Sequence, residues 1–184
     1  MADKVQLRIN LQALVRVTYR DNKQAIRAIS PIVKKRDVSK EFGERIIDEI
    51  VRRTTKENVD KNGKEFEGYS KSYMKSKVFE IYGKRSGDVN LVLTEKMLSN
   101  MIVKFVGDGV AIEFANKSEN NKAHGHINGI PRKTESGRLT KVRRNFFGVP
   151  EDVQIKILKK VVKDYQTNSF DFESAREETG AVDG

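Results

Sequence analysis

Two runs of alternating apolar residues meet at Gly107-Asp108-Gly109. Met101, Val103 and Phe105 alternate with Ile102 and Lys104 on the way in, and Val110, Ile112 and Phe114 alternate on the way out. Period-two alternation gathers one set of side chains on a single face. Asp-Gly between two such runs is a strong short-range signal for a hairpin. A chain with this unit contains antiparallel sheet and has one apolar sheet face to cover. Val5, Leu7 and Ile9, alternating with Gln6 and Arg8, read as a further short strand, with Asn10 placed to cap a helix after it.

The cover for that face is legible as helix. Over 40–57, Phe42, Ile46 and Ile50 form one i, i+4 row and Ile47 and Val51 a neighbouring one. Lys40, Glu44, Arg45, Asp48, Arg52 and Arg53 fill the rest, and Ser39 suits the N-cap. A second helix starts at Pro150, is led by Glu151 and Asp152, and carries Lys159, Lys160 and Lys163 toward its far end at Tyr165, so its charges complement the helix dipole. Its apolar face is Val153, Ile157 and Val161. Leu11, Leu14, Val15, Ala25, Ile26 and Ile29 also follow helical spacing, with interruptions expected at Asp21-Asn22 and Ser30-Pro31. A short helix over 95–100, capped by Thr94, is expected before the hairpin, and residues 58–90 read as irregular around Asn62-Gly63 and Gly68.

The expected fold is therefore α+β: a small antiparallel β-sheet packed against two or three helices, with a long basic loop and extended termini. Phe42, Ile46, Ile50, Val103, Phe105, Ile112, Phe114, Phe147, Val153 and Ile157 should be mostly buried. The expected organisation is an N-terminal strand and helical segment (1–38), an α+β core domain (39–165) with a mobile loop at 116–145, and a flexible acidic C-terminal arm (166–184).

Charge separates along the chain. The net charge is +10, but residues 166–184 carry Asp171, Glu173, Glu177, Glu178 and Asp183 against Arg176 alone, so the body before them is +14. Residues 116–145 carry eight bases and two acids and too few apolar side chains to build a core of their own. Arg132, Lys133, Arg138, Lys141, Arg143 and Arg144 are the interaction residues this pattern nominates. A basic body suits nucleic acid or an acidic protein surface, with solvation of the chain as the plain alternative.

Catalytic chemistry finds few candidates. With no cysteine, disulfides, thiolate zinc sites and cysteine nucleophiles are excluded. His124 and His126 stand in Ala-His-Gly-His, a spacing that can bring two imidazoles to one metal, but no third ligand stands at a motif spacing. Gly107-x-Gly109 lacks the following glycine and helix start of a phosphate cradle, and Ser86 and Ser136 lack a nucleophile-elbow context. We expect no catalytic residue, no cofactor, no metal and no enzymatic activity. No apolar run approaches the roughly 20 residues of a membrane span, and no signal peptide shows, so the expected site of synthesis is a cytoplasm.

The order of motifs carries more than any single one. After the 40–57 helix come Asn62-Gly63-Lys64-Glu65-Phe66 and Tyr69-Ser70-Lys71-Ser72-Tyr73. Leu93-Thr94 and Met97-Leu98 then open onto the hairpin. Ala123-His124-Gly125-His126-Ile127-Asn128-Gly129 follows, and Arg143-Arg144-Asn145-Phe146-Phe147-Gly148-Val149 closes the run before an acid-led helix. This order resembles the virion morphogenesis family, the tail-completion proteins of tailed bacteriophages, over residues 40–165. Gly63, Phe66, Phe146, Phe147 and Gly148 fall on the family's pattern. The sequence departs from it in lacking the proline before the final arginine and in having Phe147 where a leucine is usual. The resemblance implies a non-enzymatic structural protein of the virion neck or tail, made in the host cytoplasm. It would cap the tail tube or join it to the head connector as a homo-oligomeric ring, a hexamer by match to the tube. Its partners would be connector and neck proteins and the tail tube or terminator, with genomic DNA passing through the lumen and no membrane. The alternative from charge alone is a small basic nucleic-acid-binding protein.

Overall fold

The computed structural model describes residues 4–69, 71–81, 91, 96–134 and 136–179, with Ser72, Val78, Arg132 and residues 169–179 as backbone alone. The chain is α+β. The hairpin forms as its alternation requires: β2 (Met101–Val106) and β3 (Gly109–Phe114) pair antiparallel with Phe105 opposite Val110 and Met101 opposite Phe114. The N-terminal strand β1 (Gln6–Asn10) pairs with the other side of β3, giving the order β1-β3-β2. This register places Leu7, Ile9, Met101, Val103, Val110, Ile112 and Phe114 on one inner face. β1 passes so close to the turn that a Cβ on Gly109 would lie 2.0 Å from the Ile9 carbonyl oxygen.

Asn10 ends β1 and caps α1 (Leu11–Thr18), its Oδ1 accepting the Ala13 amide at 2.8 Å. Asn22 repeats the device for α2 (Lys23–Ile32), which takes Pro31 in its last turn and ends one residue later. The long helix α3 runs Arg36–Arg52 and continues as a π-helical turn over Arg53–Glu57. It starts before Ser39, which is therefore no cap. Val38 is drawn into the core with the first turn, and the buried Ser39 hydroxyl donates instead to the Val33 carbonyl at 2.7 Å. Phe42, Ile46 and Ile50 are fully buried against the sheet. At the crossing with β2 there is no room for a side chain, since a Cβ on Gly43 would meet Val103 Cγ1 at 2.5 Å.

Two short helices follow, α4 (Lys71–Met74) and α5 (Lys77–Ile81), then α6 (Lys96–Ser99) ahead of the hairpin. The expected Thr94 cap lies outside the described residues. Of the ten residues expected in the core, Phe42, Ile46, Ile50, Ile112, Phe114 and Phe147 are buried, and Val103, Val153 and Ile157 are half-buried. Phe105 is 41% exposed, because it sits at the hairpin tip beyond the main body of α3, with the Arg36 guanidinium 4.9 Å from its ring centroid. The strand and helices before residue 39 share the same core, with Val5, Ile9, Leu11, Leu14 and Val15 buried in one cluster with Phe42 and Ile46.

Residues 116–145 are not a mobile loop. They form α7 (Lys117–Asn128) and a two-stranded ribbon, β4 (Ile130–Lys133) with β5 (Leu139–Val142). The helix is set by its cap: Asn116 Oδ1 accepts the Glu119 amide at 2.9 Å, with an acid in the first turn. Its buried side is Glu119, Asn120 and Ala123, and Asn120 Oδ1 accepts the Val5 amide at 2.8 Å. A helix anchored by a buried amide and an alanine shows no apolar stripe, which is why its sequence reads as loop.

The final helix α8 runs Glu151–Thr179, preceded by Pro150, whose carbonyl accepts the Gln154 amide. Leu158, Val161 and Val162 pack it on the core. Arg45 bridges α3 to α8, bonding Glu41 and Asp164 at 2.6 Å each. The backbone beyond Tyr165 continues the helix to Thr179 where the composition reads as a flexible arm. Gln166, Thr167 and Asn168, at the start of this extension, are exposed.

Candidate interaction surface

The β4–β5 ribbon holds most of the nominated basic residues. Its register pairs Ile130 with Val142, Pro131 with Lys141, Arg132 with Thr140 and Lys133 with Leu139. Directly opposed residues share a face and neighbours along a strand alternate. Pro131, Lys133, Leu139 and Lys141 therefore form one face and Ile130 and Val142 lie on the other. Val142 is turned against the body and buried, whereas Leu139 is 72% exposed. Gly129, at φ +104, starts the ribbon under Lys141, whose Cβ would lie 2.9 Å from a Cβ there, so any side chain would be strained and crowded. Lys133, Arg138, Lys141 and Arg143 are exposed and make no ion pair among the described residues.

Arg144 belongs elsewhere. It is buried, not a surface contact: its guanidinium donates to the Glu67 carbonyl at 3.1 Å and lies 5.5 Å from the Tyr69 ring centroid. The reason is its position just past β5, where its amide donates to the His126 carbonyl at 2.8 Å and fastens the ribbon base to the end of α7.

The next residues lock into the core. Phe146 and Phe147 are buried, with Phe147 5.3 Å from the Phe114 ring and Phe146 edge-on to His126 at 6.4 Å. The carbonyls of Phe146 and Gly148 both accept from Arg53 Nη2, at 2.8 Å and 2.7 Å. Arg53 is 5% exposed, although it reads as part of the polar helix face. It stands three residues after Ile50 and seven after Ile46, which is the inward side of α3. That spacing is the signal that could have found it. Burial pulls its guanidinium below the ordinary arginine value.

The Asn62-Gly63 turn closes on the same place. Asp60 Oδ1 accepts the Asn62 and Lys64 amides, Gly63 takes φ +78, and the Lys61 amide donates to the Asn145 carbonyl at 2.9 Å. The Phe66 amide donates to the Asn58 carbonyl, and its ring is buried. Lys61, two residues before Gly63, thus ties this turn to the backbone beside Phe146, while Phe66 joins the common core.

Both histidines lie on α7. Residues two apart on a helix point about 200° apart, so His124 and His126 do not converge on one ion. Burial, with the nearby Arg144 charge, pushes the His126 imidazole down to about 4. Among the described residues no group of three or more His, Asp or Glu is arranged to hold a metal, and no helix is long and apolar enough to cross a membrane.

No family model, curated protein or solved structure matches the chain.

What remains is a surface of defined chemistry. A short ribbon, with an exposed leucine and with Lys133, Arg138 and Lys141 in no ion pair among the described residues, is tied at its base to the end of α7. The outer face of the main sheet is different, since there Lys4 and Lys104 both pair with the buried Glu113 carboxylate. Burial pushes that carboxyl up, but the hydrogen bonds from Lys104 and Lys4 outweigh it and hold it below the ordinary glutamate value. Lys4, Lys104 and Glu113 on the sheet thus pair with one another, whereas Lys133, Arg138 and Lys141 on the ribbon are in no ion pair among the described residues.

Proposed function

We propose that this chain is a non-enzymatic structural protein of a tailed-phage virion, a tail-completion or head–tail joining protein that acts at the neck as a homo-oligomeric ring, six-fold to match a tail tube. One observation carries the reading beyond the sequence resemblance. Of the residues on the family's pattern, Phe146 and Gly148 accept hydrogen bonds from the buried Arg53 just past the end of an exposed basic ribbon, Phe147 is buried beside them, and the turn that holds Gly63 is tied to the neighbouring Asn145 carbonyl through Lys61. Lys133, Leu139 and Lys141 of the ribbon are exposed, so the segment that buries Phe146 and Phe147 in the core also holds out a contact surface. Preset geometry of this kind suits assembly, because ordering costs at an interface fall when the contacting element is already rigid. The partners on this reading are further copies, connector or neck proteins and the tail tube.

The test is complementation of a phage lacking the gene, scored by electron microscopy. Lys133→Glu, Arg138→Glu and Lys141→Glu together should leave separate heads and tails. A normal yield of joined, infectious particles would sink the reading. The unpaired ribbon cations also favour a second reading, sequence-independent binding of nucleic acid. That reading requires duplex affinity falling steeply with salt, lost in the same triple variant.

A further inference from the structure

We infer that the acidic end of α8 in one copy lies against the basic face of the β4–β5 ribbon in a second copy, head to tail. This deepens the assembly reading above by naming the contact, and it begins from charge. Residues 129–143 carry five bases and one acid, a net of +4, and residues 166–184 a net of −4. The two most buried acids of the body before the ribbon are already paired, Glu113 with Lys4 and Lys104, and Glu119 with Lys122. The described ribbon cations are in no such pair.

Geometry separates donor from acceptor within one copy. The ribbon base is tied through Phe146 and Gly148 to Arg53, just past the C-terminal end of α3, and α8 begins three residues after Gly148. The other end of the packed part of α8 is Tyr165, which meets Lys35 at the opposite end of α3. Asp171 lies about 30 Å and Glu178 about 40 Å along the helix axis from Glu151. The ribbon strands are only about 13 Å long. Acidic helix and basic ribbon therefore sit at opposite ends of the α3–α8 layer, and a continuous helix cannot fold back between them. A second copy brings the two surfaces together without bending either.

The apolar residues decide between a protein and a nucleic acid as occupant. Leu139 stands 72% exposed on the Lys133–Lys141 face, and Pro131 shares that face. The acidic segment carries Phe170 and Phe172 among its acids. Phosphates gain nothing from an exposed leucine, whereas an acidic helix with apolar residues can cover it and meet the lysines together. Donor and acceptor are different patches, so the contact is heterologous. Repetition then closes a ring if the rotation permits and otherwise makes a filament.

Charge reversal on the full chain tests this. A ribbon variant (Lys133→Glu, Arg138→Glu, Lys141→Glu) and a tail variant (Asp171→Lys, Glu173→Lys, Glu177→Lys, Glu178→Lys) are each compared with wild type by sedimentation velocity at roughly 50 mM salt. Wild type should assemble. Each variant alone should associate at least about tenfold more weakly, since both its surfaces then carry one sign. Mixed in equal amounts the two should assemble together in alternation, and a chain carrying both sets of changes should assemble alone. Unchanged melting temperatures establish that the variants are folded. A monomeric wild type, a variant that assembles alone like wild type, or a mixture that stays monomeric would each overturn the contact. So would wild-type protein that binds a short DNA duplex through the ribbon and is not displaced from it by its own tail. The assay contains no phage, so failure of particle joining with this pattern intact would count against the virion reading alone.

Discussion

Arg52 and Arg53 are neighbours of identical chemistry in different environments, and their contrast tests the junction. Arg52 lies on the surface, where its guanidinium pairs with Glu49 and Glu57. Arg53 is buried, and its Nη2 donates to the carbonyls of Phe146 and Gly148. Arg53→Met keeps most of the stem volume and removes both donors. Two hydrogen bonds from a charged donor are worth about 3–6 kcal/mol gross, at 1.5–3 each. Against this, Nε and Nη1 of Arg53 have no hydrogen-bond partner among the described residues, and removing an incompletely partnered buried cation returns on the order of 1–3 kcal/mol. The net expectation, from the middle of both ranges, is a loss of about 2–3 kcal/mol. Arg52→Met removes exposed pairs alone and should cost under about 1 kcal/mol. Urea unfolding of both variants gives the comparison, with an unchanged slope establishing that the two-state treatment holds. Hydrogen exchange should show the amides of Arg144 and Phe146 losing protection in Arg53→Met, since they lie where the ribbon joins the core. Equal losses in the two variants, or an Arg53→Met protein within about 0.5 kcal/mol of wild type, would refute the claim that Arg53 fixes the ribbon base.

Gly43→Ala should destabilise by about 1–3 kcal/mol through overpacking against Val103, although alanine is the better helix former. Val103→Ala in the same chain should recover much of that loss, and a stabilised single variant by thermal melting would refute the close crossing of α3 and β2. His126 takes up its proton at a lower pH in the folded protein than in the unfolded chain, about 4 against 6.5. Its neutral form therefore stabilises the fold fully above pH 6.5, and that contribution is lost as the pH falls from 6.5 toward 4, by about 3 kcal/mol at most. The stability difference between wild type and His126→Phe, measured by urea unfolding, should shift by that order against wild type between pH 7 and pH 4.5; a pH-independent difference would show that the imidazole is not buried as described.

The elements written in the local pattern were determined by the sequence itself. Alternation around Gly107-Asp108-Gly109 set the hairpin and its register, because a slip of one residue would turn Val110, Ile112 and Phe114 out of the core. The rows of Phe42, Ile46 and Ile50, and the Asn10 side chain ahead of Leu11, fixed helix in the same way. Phe147 is expected in the core from the sequence and is buried there. Tertiary structure decided whatever depends on a partner distant in the chain. α7 is helical because Asn116 caps it and Asn120 is satisfied by Val5, over a hundred residues away, so no apolar stripe announces it. Arg144 and Arg53 look like surface cations, but each is carried inward by the carbonyls it serves, at Glu67 and at Phe146 and Gly148. Charge density alone marked the stretch 132–144 as basic. Pairing β4 with β5 separated its exposed lysines and arginines from the one buried at the base, because hydrogen bonding to backbone is specified by position in space and leaves no period in the sequence.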